Sequence, residues 1–434
     1  MEPTTKSPPL ERVIGVTTLG LNTVNLTIAA GIFGLPAIIA GILGAQGILA
    51  YLVCALLFGL VGLCFAEAGS RVGRAGGLYA YASVPFGPIV GGIAGSLLWT
   101  ASGSVADAAI VNLLVDTLAA AMPALAAPWV RVAIILALFT TVALINIRGV
   151  NHGVRLSIAL TIIKIAPLAL LVIAGLFVID PAKLAWIGLP PLRSVGKAAV
   201  VLFYAFIGVE GALNMSGEVI RPSRTVPRGI LLGLTIIAGL YMGLQLVAQG
   251  TLGAALPLSK APLVDTANVV FGAWGGRLLV VAVAISACGC LAADMLSSPR
   301  VLHAFAEQGQ LPRFLARVHP RFGTPATSIA VYAAVCATFA LTGTFKQLLI
   351  MSSSGALVLY LICCLGVLRL RSQGVAIDSK PFRIPFGPIV PVTACLIIVW
   401  MLSTLSFREI WATLAFISVV GIAYAAHEYR RGSQ

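Results

Sequence analysis

Four ionisable side chains lie inside long apolar stretches of this sequence: Asp107, Lys164, Glu210 and Asp294. Charged groups are costly in an apolar medium, so such residues must pair with one another, bind protons or bind a charged ligand. Counted as ionised, the three acids and one base carry a net charge of −2. The surplus requires cations, either protons or a ligand with a second amine. The alternatives are that one aspartate is simply protonated or that it pairs with Lys164.

The stretches that hold these residues are long enough to cross a membrane. The chain is 59% hydrophobic and only 10% charged, with a mean hydropathy of +1.03, whereas a soluble domain carries about 25% charged residues. Residues 159–178, 229–250 and 278–293 approach or exceed the roughly 18–20 apolar residues that a spanning helix needs. This composition excludes a soluble enzyme with a large core.

The sequence predicts an all-α membrane protein with about twelve spanning helices in a single domain, residues 1–434. Every backbone amide in hydrocarbon must be paired internally, so runs of this length must be helical. The polar residues 1–12 precede a run too long for a signal peptide, and we expect the first span to stay in the mature protein. The predicted spans are residues 13–40, 43–66, 86–120, 130–147, 156–179, 195–219, 228–251, 273–304, 326–343, 346–370, 387–405 and 408–427.

The distribution of basic residues predicts the orientation of the chain. Of the 28 Lys and Arg residues, 19 fall on one side of the predicted membrane and eight on the other, while Lys164 lies within a span. Basic loops stay in the cytoplasm, so both termini are expected there, in a plasma (bacterial inner) membrane. The net charge of +14 therefore marks topology and does not indicate nucleic-acid binding.

Cysteine and histidine patterns give no indication of a cofactor or a metal. The eight cysteines fall inside apolar spans, where they serve as small polarizable packing residues. None of the four histidines has metal-ligand spacing, and no nucleotide-binding loop is present. We therefore expect no cofactor, no metal and no enzymatic activity.

Two predicted spans are interrupted at comparable depths. Residues 31–36 read GIFGLP in the first span, and residues 206–211 read FIGVEG in the sixth. Glycine and proline weaken the helical hydrogen-bond ladder. Matched interruptions point to a secondary transporter built of inverted repeats, here residues 13–179 and 195–370 with 387–427 appended. The alternative is that Gly and Pro are simply common in membrane helices.

Such breaks expose backbone groups that a charged solute can satisfy. The N-termini of the broken helices would hold a carboxylate, and the freed carbonyls would hold an ammonium group. The pattern thus predicts transport of a small amine-bearing solute such as an amino acid.

At these breaks the sequence resembles the amino acid–polyamine–organocation (APC) transporter family, and the similarity covers nearly the whole chain. The matching segments are residues 30–36 (AGIFGLP), 66–71 (AEAGSR), 76–79 (GGLY), 206–210 (FIGVE), 217–218 (GE) with Pro222 and Pro227, 306–312 (AEQGQLP) and 323–325 (GTP).

The resemblance implies a five-plus-five inverted-repeat (LeuT-like) fold, amino-acid-like substrates and alternating access. Lys164 resembles a lysine that occupies the sodium position in sodium-independent members, where it would tie span 1 to span 8. Glu210 resembles a proton sensor and gate element of arginine/agmatine-type antiporters. The alternatives are a lysine permanently paired with a neighbouring acid and a glutamate that caps unwound amides.

Ala30 departs from the family pattern, which often has Ser before the glycine of span 1. Carboxylate binding would then rest on the amides of Gly31, Ile32 and Phe33, and a substrate without a carboxylate stays possible. Asp107 and Asp294 align with positions that face the substrate, which favours a cationic substrate. Phe33, Tyr204 and Phe206 are candidates for an aromatic gate, or for packing. The predicted substrate site is Ala30, Gly31, Ile32, Phe33, Asp107, Tyr204, Phe206, Gly208, Glu210 and Asp294, with Lys164 and Glu210 in coupling.

The predicted function is secondary active transport of amino acids, sodium-independent and either proton-coupled or exchanging. A neutral amino acid/proton symporter and a polyamine antiporter are alternatives. An ion channel is a further alternative, but channels use rings of repeated groups, and the polar residues here differ from one another. Glu67, Glu218, Arg71 and Arg221 lie near cytoplasmic helix ends, where we expect inner-gate or structural pairs.

Overall fold

The computed structural model describes residues 15–72, 77–148, 154–186, 188–209, 219–307, 309–375 and 382–432, whose regular elements are helices. The predicted all-α class is confirmed for these residues. The helices are α1 (Val16–Thr27), α2 (Leu35–Leu43), α3 (Ile48–Val72), α4 (Gly77–Phe86), α5 (Pro88–Trp99), α6 (Ala106–Ala121), α7 (Pro128–Ile147), α8 (Val154–Gly175), α9 (Leu192–Phe203), α10 (Pro222–Leu252), α11 (Pro262–Phe271), α12 (Ala273–Glu307), α13 (Ala326–Thr342), α14 (Phe345–Ser372), α15 (Ile389–Ser403) and α16 (Phe407–Gly432).

Six of the described helical segments are long and apolar enough to cross a membrane. A seventh would be added by α15 and α16 taken as one broken span, whose axes differ by 119°. The figure of about twelve spans, with the LeuT-like fold, stays a prediction. The six segments are Leu35–Val72, Pro88–Ala121, Pro128–Ile147, Arg224–Leu258, Ala273–Glu307 and Phe345–Ser372.

Large apolar side chains remain exposed along the outside of these helices, as a lipid-facing surface requires. Leu56 is 56% exposed, Ile173 61% and Leu396 65%. On the inside, α1 packs closely on α10, where Gly229 faces Leu19 and Gly233 faces Thr23. Small residues at such crossings let two membrane helices approach closely, because lipid supplies no hydrophobic drive between them.

An aromatic cluster fills the centre of the bundle between α3, α9, α10 and α14. The ring of Phe58 stacks on that of Phe206 at 5.1 Å and lies 4.7 Å from Phe203. Tyr360 meets Phe203 edge-on at 5.3 Å, and Tyr241 meets Phe206 in the same way at 5.4 Å. These offset and edge-to-face contacts fix the end of α9, where the sixth predicted span is interrupted.

Glu67 is the most heavily bonded carboxylate that the structure describes. The sequence placed the end of the second span at residue 66, but α3 continues to Val72 and carries Glu67 inside the bundle, fully buried. Its oxygens accept from Arg71 Nε at 2.9 Å, from Arg371 Nε and Nη2 at 2.7 and 2.6 Å, and from Ile384 N at 2.9 Å. The expected pairing with Arg71 is present, and Arg371 extends it to the end of α14. Glu218 lies outside the described residues.

We expect Glu67→Ala to destabilise the folded protein strongly. Two guanidinium groups and one amide would lose their acceptor, and breaking a buried ion pair from one side costs about 3–5 kcal/mol. The matched control is Glu307→Ala, whose ion pair with His303 has a glutamate side chain 63% exposed and is worth at most about 1 kcal/mol. Thermal unfolding of the purified protein in detergent measures both variants. Equal melting temperatures for the two would contradict the structural role of Glu67.

Candidate functional site

The first predicted break lies between α1 and α2. Helix α1 ends at Thr27, Ile28 and Ala29 are extended, and Ala30–Phe33 form one 3-10 turn before α2 begins at Leu35. Pro36 occupies the first turn of α2, where its missing N–H costs nothing. The sequence predicted the interruption at residues 31–36, but it ends before Pro36, because this proline begins α2 instead of interrupting a helix. Ala30, Gly31, Ile32 and Phe33 are all buried.

The second break begins where α9 ends at Phe203. A short 3-10 turn, Tyr204–Phe206, follows, and Ile207 is extended. Gly208 then has φ +112°, a conformation that side-chain-bearing residues rarely adopt. Glu210, predicted to act here, lies outside the described residues, and its roles as sensor or cap stay predictions.

The two breaks are in direct contact. A methyl group placed on Gly208 would lie 2.6 Å from the Leu26 carbonyl oxygen, near the end of α1. A methyl group on Gly31 would lie 2.5 Å from the ring of Tyr204. The structure therefore brings together Gly31, Tyr204 and Gly208 from the predicted site, and the two glycines are what permits the approach.

Tyr241 of α10 joins the two breaks through its hydroxyl group. It donates to the Ala205 carbonyl at 3.1 Å, and the Thr27 carbonyl lies 3.5 Å away. Both carbonyls lie where the helical ladder is interrupted, so a buried donor stabilises each of them. Tyr241 was not among the site residues predicted from the sequence. The available signal was a hydroxyl group in the middle of the apolar run 229–250.

Asp107 and Asp294 face each other from α6 and α12. Asp107 is completely buried, and its Oδ2 accepts from the Tyr332 hydroxyl at 2.8 Å. Its Oδ1 receives no N–H or O–H from the residues that the structure describes. Asp294 is an electrostatic neighbour of Asp107, and its side chain is partly exposed. Asp294 Oδ2 also lies 3.6 Å from Cys290 Sγ.

A wide π-helical turn sets the position of Asp107. Residues Thr100–Val105 form this turn directly before α6, and such turns re-aim the residues that follow. Close neighbours hold it in place: a methyl group on Gly103 would lie 2.9 Å from the Tyr332 hydroxyl, and one on Gly355 would lie 2.4 Å from the Ala101 side chain. This turn could not be predicted from the sequence, because its residues are small and of mixed polarity and do not distinguish a π-helical turn from an α-helix.

Lys164 extends from α8 toward α12. It is 8% exposed, and its Cε lies 4.0 Å from a methyl group placed on Gly289. Asp294 and Cys290 are its electrostatic neighbours, but no ion pair of Lys164 occurs in the described part of the chain. The contact with α12 agrees with a lysine beside span 8. A tie to span 1 stays a prediction.

The predicted aromatic residues separate into two groups. Tyr204 lies against the first break, and its hydroxyl donates to the Ala106 carbonyl at 2.7 Å. Phe206 is fully buried in the aromatic cluster with Phe58 and Tyr241. This position supports packing for Phe206 and leaves Tyr204 as the aromatic residue at the site. Phe33 is buried within the 3-10 turn.

Comparison with known proteins identifies the family of this chain. The profile of the amino acid permease family matches residues 14–425. The chain belongs to this family. The resemblance to APC transporters seen in the sequence is therefore confirmed.

Three relatives show the range of transport reported for similar proteins. The permease is 29% identical to the branched-chain amino acid permease BcaP of Lactococcus lactis, over 95% of this chain and 93% of the relative. It is 27% identical to the serine/threonine exchanger SteT of Bacillus subtilis, over 90% of each chain. It is 26% identical to the methylthioribose transporter of Bacillus subtilis, over 96% of this chain and 94% of the relative.

Alanine at either contacting glycine should abolish uptake by the permease. Gly31→Ala would push against the Tyr204 ring, and Gly208→Ala would add about 1–3 kcal/mol of backbone strain and meet a carbonyl. Gly239→Ala is the control, because a methyl group there meets nothing within 4 Å. Uptake of a panel of radiolabelled amino acids into proteoliposomes measures the effect. Wild-type uptake in either test variant would show that the helix breaks do not form the substrate site.

Tyr241→Phe should weaken substrate binding while keeping the aromatic packing. Leaving buried carbonyls without their donor costs about 1–3 kcal/mol, and both carbonyls here are at the breaks. Tyr51→Phe is the matched control: its hydroxyl donates to Gln245 at 3.1 Å and touches neither break. Both variants should melt earlier, but only Tyr241→Phe should lower the affinity in a binding assay. A fall in affinity of the same size in both would show that the effect is general.

Proposed function

We propose that the permease is a sodium-independent secondary active transporter of amino acids that works by alternating access. The observation that carries the proposal is the direct contact of two interrupted helices, α1–α2 and α9 with its 3-10 turn, at a buried site. Because Ala30, Ile32 and Phe33 are shielded from solvent, a solute there can enter and leave only if the surrounding helices move.

The order of the helices supports two repeats of five spans, residues 13–179 and 195–370. Breaks occur in the first and sixth predicted spans. A short helix follows the second predicted span, α4 of 10 residues, and another follows the seventh, α11, also of 10 residues. Matched irregularities at the same places in two halves are typical of transporters with inverted repeats.

The backbone at the breaks supports an amino acid as the substrate. The 3-10 turn and α2 have no side-chain cap at their N-termini, so their amides are suited to a carboxylate. The Thr27 hydroxyl, at the end of α1, is buried without a partner among the described residues, and a substrate amine can satisfy it. Ala30 supplies no hydroxyl, so backbone groups would dominate recognition.

Lys164 supports transport without sodium. Its ammonium lies in the interior beside α12, near Asp294, and a fixed cation there would repel a metal cation. Coupling would then use protons or exchange. The alternative is a protonatable lysine, because burial destabilises a charged ammonium and Lys164 itself would then exchange the proton.

A cationic amino acid is the second candidate substrate, as the sequence favoured. Asp107 and Asp294 outnumber Lys164 in the described cluster, and a guanidinium or ammonium side chain could neutralise the remaining charge. A polyamine would do the same in an antiporter. A neutral amino acid carried with a proton follows if the carboxyl pair is neutralised by the proton instead.

Replacing sodium by choline should leave uptake unchanged at fixed pH. Lys164→Ala should reduce uptake while the protein still inserts and elutes as a single species, whereas Lys197→Ala, at an exposed lysine of α9, should behave as wild type. Uptake of alanine, serine, leucine, arginine and lysine into proteoliposomes measures all three effects. Loss of uptake in choline would show that sodium is required and would overturn the assignment of Lys164.

A further inference from the structure

Asp107 and Asp294 lie at the centre of a cluster of titratable groups whose charges are not balanced by the described residues. The titratable groups that face the pair come from four elements: Lys164 on α8, Cys290 on α12, Tyr332 and Cys336 on α13, and Tyr204 in the 3-10 turn after α9. Of these, only Lys164 carries a positive charge. Two carboxylates and one ammonium therefore leave one negative charge among the described residues of the cluster.

The surroundings of Asp107 favour a proton on the pair. Asp107 is fully buried with a second acid as its neighbour; bare carboxylates can only accept hydrogen bonds, and neighbouring like charges disfavour ionisation of both. Tyr332 already donates to Oδ2 of Asp107, and Oδ1 lacks a donor among the described residues. One proton between the two aspartates supplies the missing donor and brings the cluster to neutrality.

Lys164 lies beside the pair as a buried base. Its side chain is 92% shielded, since 8% remains exposed, and it forms no ion pair with a described residue although Asp294 is nearby.

We propose that Asp107 and Asp294 form a one-proton site that couples proton entry to amino acid entry. The inference rests on the proposed transport function and specifies its coupling. The pair takes up a proton when the site is open to the outside and releases it when the site is open to the inside. Proton and amino acid thus move in the same direction, and no other bond changes.

A chain of contacts links the pair to the helix breaks. The ring of Tyr204 lies against Gly31, and its hydroxyl bonds to the carbonyl of Ala106, the residue before Asp107. A solute that displaces Tyr204 at the break would shift the start of α6. The separation of the two carboxyl groups, which lie on different helices, would change with it.

Infrared spectroscopy tests the shared proton without any transport. The folded wild-type protein at neutral pH should show the carbonyl absorption of a protonated carboxylic acid. Asp107→Asn and Asp294→Asn should each remove or shift it. Asp116→Asn is the matched control, since Asp116 lies on the same helix but pairs with Arg131 in a half-exposed position. Absence of the absorption in wild type overturns the proposal, whether or not the variants fold.

Uptake into proteoliposomes tests the coupling. With L-serine and L-leucine as neutral probes, an inside-alkaline pH gradient should accelerate uptake by wild type and by Asp116→Asn. Asp107→Asn and Asp294→Asn should lose this response. A response retained in both variants overturns the proposal. So does selective loss of L-arginine binding in both, which would make the pair a site for a cationic side chain. If wild type transports no amino acid, the proposed function fails. The infrared result would still show whether Asp107 and Asp294 hold a proton.

Discussion

The pairing of backbone hydrogen bonds in hydrocarbon is the constraint on which the rest of this structure depends. A continuous helix satisfies it within one segment, but the ladder stops at Ile28 and again at Ile207. The surrounding helices are arranged to meet this need. Tyr241 from α10 reaches the Ala205 and Thr27 carbonyls, and Tyr204 reaches the carbonyl of Ala106. The substrate site that we propose lies where this pairing is left incomplete.

The same constraint separates two kinds of buried carboxylate. Glu67 and Asp107 are both fully buried, yet Glu67 accepts hydrogen bonds from two guanidinium groups and an amide, while Asp107 accepts one from a tyrosine. Charged donors hold Glu67 ionised and fixed, which suits a structural joint between α3 and α14. Asp107 has only a neutral donor and a second acid beside it, so its charge can change with the state of the transporter.

Local sequence patterns were enough to find the apolar helices, the two interruptions and the ionisable residues inside them. They were not enough to set the bounds. Pro36 was counted as part of the break, although proline is favoured in the first turn of a helix, as it is in α2. The second span was predicted to end at residue 66, whereas α3 continues to Val72 and places Glu67 beside Arg371, a partner distant in the chain.

Partners distant in the chain could not be predicted at all. Tyr332 is 225 residues from Asp107, and Arg371 is 304 residues from Glu67. A tyrosine in an apolar run does not by itself indicate a polar contact, because its ring packs like that of phenylalanine and only its hydroxyl differs. The π-helical turn Thr100–Val105 could not be predicted for the same reason, because the residues that pack against it lie far along the chain, on α13 and α14.

Tyr204 contacts both the first helix break and the start of α6, although its side chain is uncharged. Its ring packs against a glycine of the first break, so a solute bound at that break would meet it. Its hydroxyl holds the backbone one residue before Asp107, so its motion is passed to the start of α6. Packed interiors transmit such shifts, because they are dense and cannot deform gradually. In the coupling we propose, a solute that displaces Tyr204 would thereby change the charge held by Asp107 and Asp294.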